Sequence, residues 1–386
     1  MTPRVAIMGW AQTQYERRKA DENDWDIIYP TVKAALADAG LTHDDIDTCL
    51  DSSKDYLDGR GISTYTIVDG IGGQLKEEAK VSMDASYAAI YAYMRLATGM
   101  YDVAIVSGYG KSSEGIDIHW QTATTLDPFY GQPLGLDAMS AAALQASCYM
   151  HRYGISEGQV ARVVVKNWRN ALGNPNAQLK GTITVEQVLN SRPLMKPLKL
   201  YDVCPITDGA SAMVMVSERK ARELASRLNR RPVWIEGVSH LQDMHYLGYR
   251  DLTKAGCCAD AARAAYKMAG IKDPLKEIQL AEVYAPFSFQ ELMLYEALGL
   301  CGPGEGGRFL ESGAPEMGGQ VPVNPSGGAL TANPMTATGL TRIIEAASQI
   351  AGRAGANQIR GVRRAVAHGT HGVALQNNCV FVLGGE

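Results

Sequence analysis

Val233-Trp234-Ile235-Glu236-Gly237-Val238, then Ala261 to Gly270 (AARAAYKMAG) and Ile278 to Val283, repeat a pattern already written near the start of the chain. There it runs Val5-Ala6-Ile7-Met8-Gly9, Val32 to Gly40 (VKAALADAG) and Ile46 to Leu50. Each copy reads as a buried strand, a helix with a glycine stop, and a second strand. Both helices end in Ala-Gly followed by Leu41 or Ile271, the apolar residue favoured after a glycine at a helix terminus. Further strands are predicted at Val103 to Ser107, Arg364 to Ala367 and Val380 to Leu383. Strands alternating with helices predict parallel sheets covered by helices. The duplication predicts two such sheets packed about a pseudo-twofold axis, with halves at 1–232 and 233–386.

Residues 117–200 break this rhythm. The stretch is rich in Gly, Pro, Gln and Asn, as in Asp127-Pro128-Phe129-Tyr130-Gly131-Gln132-Pro133, and carries helix candidates at Met139 to Tyr153 and Glu157 to Leu172. A long insertion in a compact fold is expected to cover a ligand. Its basic residues, Arg152 and Lys196 among them, are candidates to hold phosphate.

The bulk numbers narrow the choices. With 386 residues, 46% apolar and only 20% charged, the chain is a globular protein with more than one ordinary core. A net charge of −4 gives no long-range attraction to nucleic acid or an anionic membrane. Seven scattered cysteines, with no CxxC pair, argue against a disulfide framework or a zinc site and for a reducing, cytoplasmic setting. The N-terminus lacks the apolar core of a signal peptide, and no apolar run is long enough to span a membrane.

Glycine loops crowd the C-terminal part: Asn324-Pro325-Ser326-Gly327-Gly328, Asn333-Pro334, Thr338-Gly339, and His368-Gly369-Thr370-His371-Gly372. Glycine allows tight turns and close approach to a ligand. Loops of this kind beside proton donors predict a reaction chamber walled partly by main chain.

Several blocks in order, among them Lys166-Asn167-Trp168-Arg169-Asn170-Ala171, Cys204-Pro205, Thr207-Asp208-Gly209-Ala210 and Ala281-Glu282-Val283-Tyr284, give a resemblance that covers essentially the whole chain. It resembles the thiolase superfamily, in particular the sterol-carrier-protein/lipid-transfer branch. The resemblance implies an α/β fold, a thiolase-like duplicated five-layer α/β/α/β/α sandwich with an inserted loop region. It also implies a homodimeric core, no bound cofactor or metal, and coenzyme A or acyl-CoA as the substrate.

The chain departs from the family where the chemistry sits. Asp84 stands where a thiolase carries its acylated cysteine, and no other cysteine lies in a motif that replaces it. Tyr284-Ala285-Pro286-Phe287 stands for His-Asp-Cys-Phe, and Asn333-Pro334 for the end of Gly-His-Pro. A carboxylate at a helix N-terminus is stabilised by the dipole but is a poor nucleophile toward a thioester. Asp84 is therefore read as a helix cap or a general base.

Tyr284 is expected to donate a hydrogen bond or a proton, and Asn333 to hold a thioester oxygen. His368 is expected to act as general acid/base with His371 in support. Ser326, Gly327, Gly328, Gly369 and Gly372 are expected to line the pantetheine channel. Phe287, with Phe289, Tyr87, Tyr91 and Tyr93, would suit a bulky, aromatic acyl group.

Three functions follow as expectations. The family pattern favours CoA-dependent thiolysis of a bulky β-ketoacyl-CoA in a degradative, β-oxidation-like pathway without the usual cysteine. The residues by themselves favour a retro-aldolase acting on a β-hydroxyacyl-CoA through Tyr284 and His368. The third is a non-catalytic acyl-CoA-binding subunit of a thiolase complex. The eroded motifs also imply a small zinc-ribbon/OB-fold partner.

Overall fold

The computed structural model describes residues 3–59, 61–115 and 117–385. The strands are β1 (Val5–Gln12), β2 (Thr48–Ser52), β3 (Glu77–Lys80), β4 (Val103–Lys111), β5 (Pro193–Met195) and β6 (Leu198–Lys199). They continue with β7 (Asp208–Ser217), β8 (Val233–Gln242), β9 (Ala281–Val283), β10 (Arg364–His371) and β11 (Asn377–Gly385). Helices α1 (Asp24–Asp38), α2 (Asp55–Asp58), α3 (Ala85–Ala97), α4 (Ile118–Ala123), α5 (Ala138–Tyr153), α6 (Glu157–Asn170) and α7 (Val185–Leu189) belong to the first part. Helices α8 (Glu218–Leu228), α9 (Gly256–Ala269), α10 (Pro274–Glu277), α11 (Ser288–Ala297), α12 (Gly306–Glu311) and α13 (Thr338–Ile350) follow.

Strand alternation sets the layers. In β1, Val5 and Ile7 point into one core while Ala6 and Met8 point into another. The same division separates Ala104 and Val106 from Val103 and Ile105 in β4. In β11 it separates Phe381 and Leu383 from Val380 and Val382. The central core holds inner-face residues of both halves together with α3 and α13, and the outer cores are closed by α1 on one side and by α9 and α11 on the other. Because side chains alternate with period two, β1, β4 and β11 each serve two cores at once and are apolar on both faces there.

The strand order is β3-β2-β4-β7-β1-β8-β11-β10-β9. The expectation of parallel sheets needs correction. Only β2 with β3, β2 with β4, and β9 with β10 run parallel; the remaining pairs in this sheet are antiparallel. The cause is β7, which lies antiparallel between β4 and β1, and the β10–β11 hairpin. The halves are also hydrogen-bonded to each other, through Ala6 opposite Trp234 and Ile7 opposite Val233. The inserted region lies between β4 and β7 and contains α4 to α7 and the β5–β6 hairpin.

The central helices meet at one carboxylate. Asp84 is the N-cap of α3, and its Oδ1 accepts from the Ser86 amide at 2.8 Å and the Ser86 hydroxyl at 2.6 Å. Its Oδ2 accepts from the Gly339 amide, in the first turn of α13, at 2.9 Å. A Cβ at position 339 would overlap Asp84 Oδ1, so glycine is required there. Burial pushes the Asp84 carboxyl up to about 6, against the pull of the Ser86 and Gly339 hydrogen bonds.

A buried acid with a raised pKa stabilises the fold most while it is protonated. That contribution is complete below its unfolded value near 4 and is lost as pH rises through about 6. Asp84→Ala removes a cap shared by two helices, each cap being worth ~0.5–2 kcal/mol. The destabilisation should be larger at pH 4 than at pH 7, by about 2 kcal/mol, most of the two-unit shift in pKa. Urea unfolding of both proteins at the two pH values measures this; equal differences would show that the Asp84 proton is not linked to folding.

Candidate active site

A cavity of about 700 Å³ opens beyond the C-terminal ends of β2, β9 and β10, beneath the inserted region. Its volume suits a drug-sized ligand. Met83 precedes α3, Met139 opens α5, Met195 ends β5, and Met335 lies near α13; with Phe287 and Ile206 they make the wall largely apolar. Methionine fills irregular space and adapts to bulky ligands.

Polar side chains interrupt this wall, among them Lys54, Tyr56, Tyr284, Asn333 and His371. Tyr284 follows β9, and its amide donates to the His368 carbonyl at 3.2 Å. Its phenol is buried and paired with Thr338; burial, then the nearby Asp84 and Cys204, raise its pKa well above 10. Tyr284 is therefore a donor at neutral pH. Asn333 Oδ1 accepts from the Thr338 hydroxyl at 2.9 Å, and its Nδ2 donates to Cys204 Sγ at 3.1 Å.

Burial pushes the Cys204 thiol up to about 12, which keeps it protonated. Cys204 thus occupies the cavity wall, a place its sequence motif did not announce, but in the wrong ionisation state for a nucleophile. Half-buried His371 also faces the cavity, with its pKa lowered well below 6.5 by burial and by Lys54.

The loop joining β10 to β11 is braced from several sides. Ala374 and Leu375 have φ of 52° and 55°, left-handed values that side chains resist. Arg250 donates to the carbonyls of Val373 and Ala374, and Gln145 Nε2 donates to the Ala374 carbonyl at 3.1 Å. Asn378 Nδ2 holds the Leu375 carbonyl at 2.9 Å. These bonds offset the strain and fix the loop along the cavity.

Of the residues singled out from the sequence, Tyr284, Asn333, His371, Gly372 and Phe287 are brought together on this wall. Asp84 lies behind it, locked between the two helices. His368 is corrected: it is fully buried in β10 and does not line the cavity. Its Nε2 pairs with Asn378 Oδ1 at 2.9 Å, and burial lowers its pKa to about 4.

Ser326, Gly327 and Gly328 are also displaced from the expected channel. The Ser326 amide and hydroxyl donate to Glu282 at 3.0 and 2.8 Å, and Glu282 pairs with Arg342 at 2.6 Å. A Cβ on Gly327 would run into Ala171 and Thr331, so this glycine turn serves close packing. Gly369 likewise packs against Ser86.

Arg152 is exposed near the far end of α5, about 20 Å along the helix from the cavity-lining Met139. Lys196 is exposed beside Met195 at the rim. Tyr87 and Tyr93 are buried on α3, Tyr91 is exposed there, and Phe289 is in the core; none lines the cavity.

Sequence reasoning missed His119 and Asp137, which share this wall and whose side chains lie 2.7 Å apart. Asp137 carried a signal, since Asp137-Ala138-Met139-Ser140 is a helix-start pattern with reciprocal capping. Nothing in the sequence joined it to His119.

The fold and site together define an acyl-CoA-handling enzyme of the thiolase type. Residues 239–385 match the family model for the thiolase C-terminal domain-like family. An acetyl-CoA acetyltransferase of Methanothermobacter thermautotrophicus is 32% identical, over 96% of this chain and 97% of its own. The benzoylsuccinyl-CoA thiolase subunit BbsB of Thauera aromatica is 30% identical, over 97% and 96%. A 17-hydroxy-3-oxo-4-pregnene-20-carboxyl-CoA lyase of Mycobacterium tuberculosis is also 30% identical, over 97% and 98%. Among solved structures, the Ltp2-ChsH2(DUF35) aldolase superposes with a TM-score of 0.85 at 26% identity, covering 100% of this chain and 99% of that one.

The chain belongs to the thiolase superfamily, in its sterol-carrier-protein-like branch, and has the thiolase-like α/β sandwich. It is a thiolase-like acyl-CoA acyltransferase or lyase. No helix among the described residues is long and apolar enough to cross a membrane.

The cavity chemistry has a direct test. Alkylation of Cys204 by iodoacetamide should be far slower at pH 7.5 than that of exposed Cys148, and should still be rising at pH 10. Site-resolved mass spectrometry gives both rates; rapid labelling of Cys204 at neutral pH would mean an activated thiolate.

Proposed function

We propose that this enzyme cleaves a β-hydroxyacyl-CoA by retro-aldol chemistry, without attaching the acyl group to the protein. The observation that carries this reading is the neutral Tyr284 phenol on the cavity wall, with a locked carboxylate behind it where a nucleophile would be needed. In such a cleavage the electrons of the Cα–Cβ bond pass to the thioester carbonyl as an enolate. Donors aimed at that oxygen and at Cα lower the barrier, and Tyr284 and Asn333 are suited to supply them. The methionine-lined wall suits a bulky ring on the β-carbon. Coenzyme A enters only as part of the substrate.

The 0.85 TM-score match to a two-component aldolase supports this reading over the whole chain. From the family resemblance we propose a homodimeric core that works with a small zinc-ribbon/OB-fold partner, and from the scattered cysteines without a CxxC pair a cytoplasmic setting. The second reading is thiolysis of a bulky β-ketoacyl-CoA, favoured by the relative named as a benzoylsuccinyl-CoA thiolase subunit. With Cys204 protonated, free CoA would then have to attack the ketone directly.

Two probes separate the readings. The enzyme, purified from its own cells with whatever co-purifies, is offered 17-hydroxy-3-oxo-4-pregnene-20-carboxyl-CoA, or benzoylsuccinyl-CoA plus free CoA. Retro-aldol cleavage releases a ketone and leaves the free-thiol count unchanged; thiolysis consumes free CoA and yields two thioesters. Consumption of CoA with the second probe alone would overturn the primary reading. Tyr284→Phe should lower kcat on the cleaved probe by at least about 100-fold, and a rate within threefold of the parent would remove the phenol from proton transfer. The chain alone, freed of any partner, should lose most activity; full activity would refute the need for one.

A further inference from the structure

Retro-aldol cleavage needs a group to take the proton of the β-hydroxyl, and none of the residues assigned above fits that task. Tyr284 is held protonated, Cys204 is a thiol, and Asp84 is engaged by three donors. His368 is off the cavity, and His371 is weakened as a base by burial and by Lys54.

One imidazole on the wall has the opposite surroundings. His119 Nδ1 lies 2.7 Å from Asp137 Oδ2, and both residues line the cavity. The Asp137 carboxylate is 5% exposed, and its other oxygen accepts from the Ser140 amide at 2.7 Å and the Ser140 hydroxyl at 2.6 Å. Although burial works to raise the Asp137 pKa, these bonds and His119 hold it below the ordinary value, so it stays ionised. An ionised partner on Nδ1 fixes the proton there and leaves the Nε2 lone pair free to accept another. His119 Nε2 has no hydrogen-bond partner among the described residues.

We propose that His119 is the general base of this site and that Asp137 is its positioning residue. This rests on the retro-aldol reading and assigns the proton acceptor that reading lacked. His119 Nε2 takes the β-hydroxyl proton, the O–H electrons form the new C=O bond, and the Cα–Cβ electrons become the thioester enolate. Tyr284 gives its proton to Cα, and the proton on His119 returns to the phenolate through solvent. Both residues are then restored, and no oxidant or second substrate is consumed.

The test uses the co-purified enzyme and 17-hydroxy-3-oxo-4-pregnene-20-carboxyl-CoA. His119→Ala should lower kcat by at least about 100-fold with KM changed less than threefold, and added imidazole should restore rate in a saturable way. Asp137→Asn keeps a capping side chain on α5 and should lower kcat at least about tenfold with unchanged circular dichroism. A parent-like kcat in His119→Ala, or a loss that imidazole does not rescue, overturns the assignment while leaving the reaction in place. A wild-type enzyme that releases no ketone and instead consumes CoA with benzoylsuccinyl-CoA removes the reaction and, with it, the role of the base.

Discussion

A carboxylate shared between two helix N-termini organises this molecule. Asp84 accepts hydrogen bonds from Ser86 at the start of α3 and from Gly339 at the start of α13, the two helices that fill the central core. Each helix leaves unpaired amides at its N-terminus and a partial positive charge with them. Pointing two such ends at one site draws a carboxyl group there, although burial outweighs their pull and leaves its pKa raised to about 6. Gly339, which leaves room for the carboxylate, and Gly369, which lets β10 press on Ser86, follow from this junction.

The same junction settles what chemistry the cavity can host. A side chain engaged by three donors cannot also swing out to attack a thioester. The reactive surface is therefore displaced to residues at strand ends and before a helix: Tyr284 after β9, Asn333 before α13, and His371 at the end of β10. Burial raises phenols and thiols and lowers imidazoles, so Tyr284 and Cys204 stay protonated and His371 stays neutral on this wall. His119 differs from them in having an ionised carboxylate, Asp137, on its Nδ1.

Much of the fold was legible because its strands are apolar on both faces. Val5 to Met8, Val103 to Val106, Val233 to Ile235 and Val380 to Leu383 had no other reading. β3 was missed because Glu77-Glu78-Ala79-Lys80 is an edge strand with charged, partly exposed side chains. β7 was missed because its Asp-Gly-Ala-Ser start reads as a loop, and without it the antiparallel centre of the sheet could not be foreseen. In the site, Tyr284 and Asn333 were found because they stand at motif positions of the resemblance, and His371 because it lies in a glycine loop after a strand. The Ser326-Gly327-Gly328 turn was misplaced because a glycine needed for packing against Ala171 looks the same in sequence as one needed for a ligand.

The division of labour between scaffold and insertion explains why His119 and Asp137 escaped notice. They lie 18 positions apart, on two helices whose packing brings them together. Asp137 is fixed first, by its own cap on α5, and its free oxygen then fixes the ring on α4. Such a dyad is set by the tertiary structure of the inserted region, whereas Tyr284 and Asn333 are set by the duplicated scaffold. A substitution in the insertion can therefore retune proton transfer without disturbing the Asp84 junction, since no hydrogen bond joins the two clusters among the described residues. The electrostatic demand of the helix ends is met by Asp84, and the chemistry is carried by elements that meet it only across the cavity.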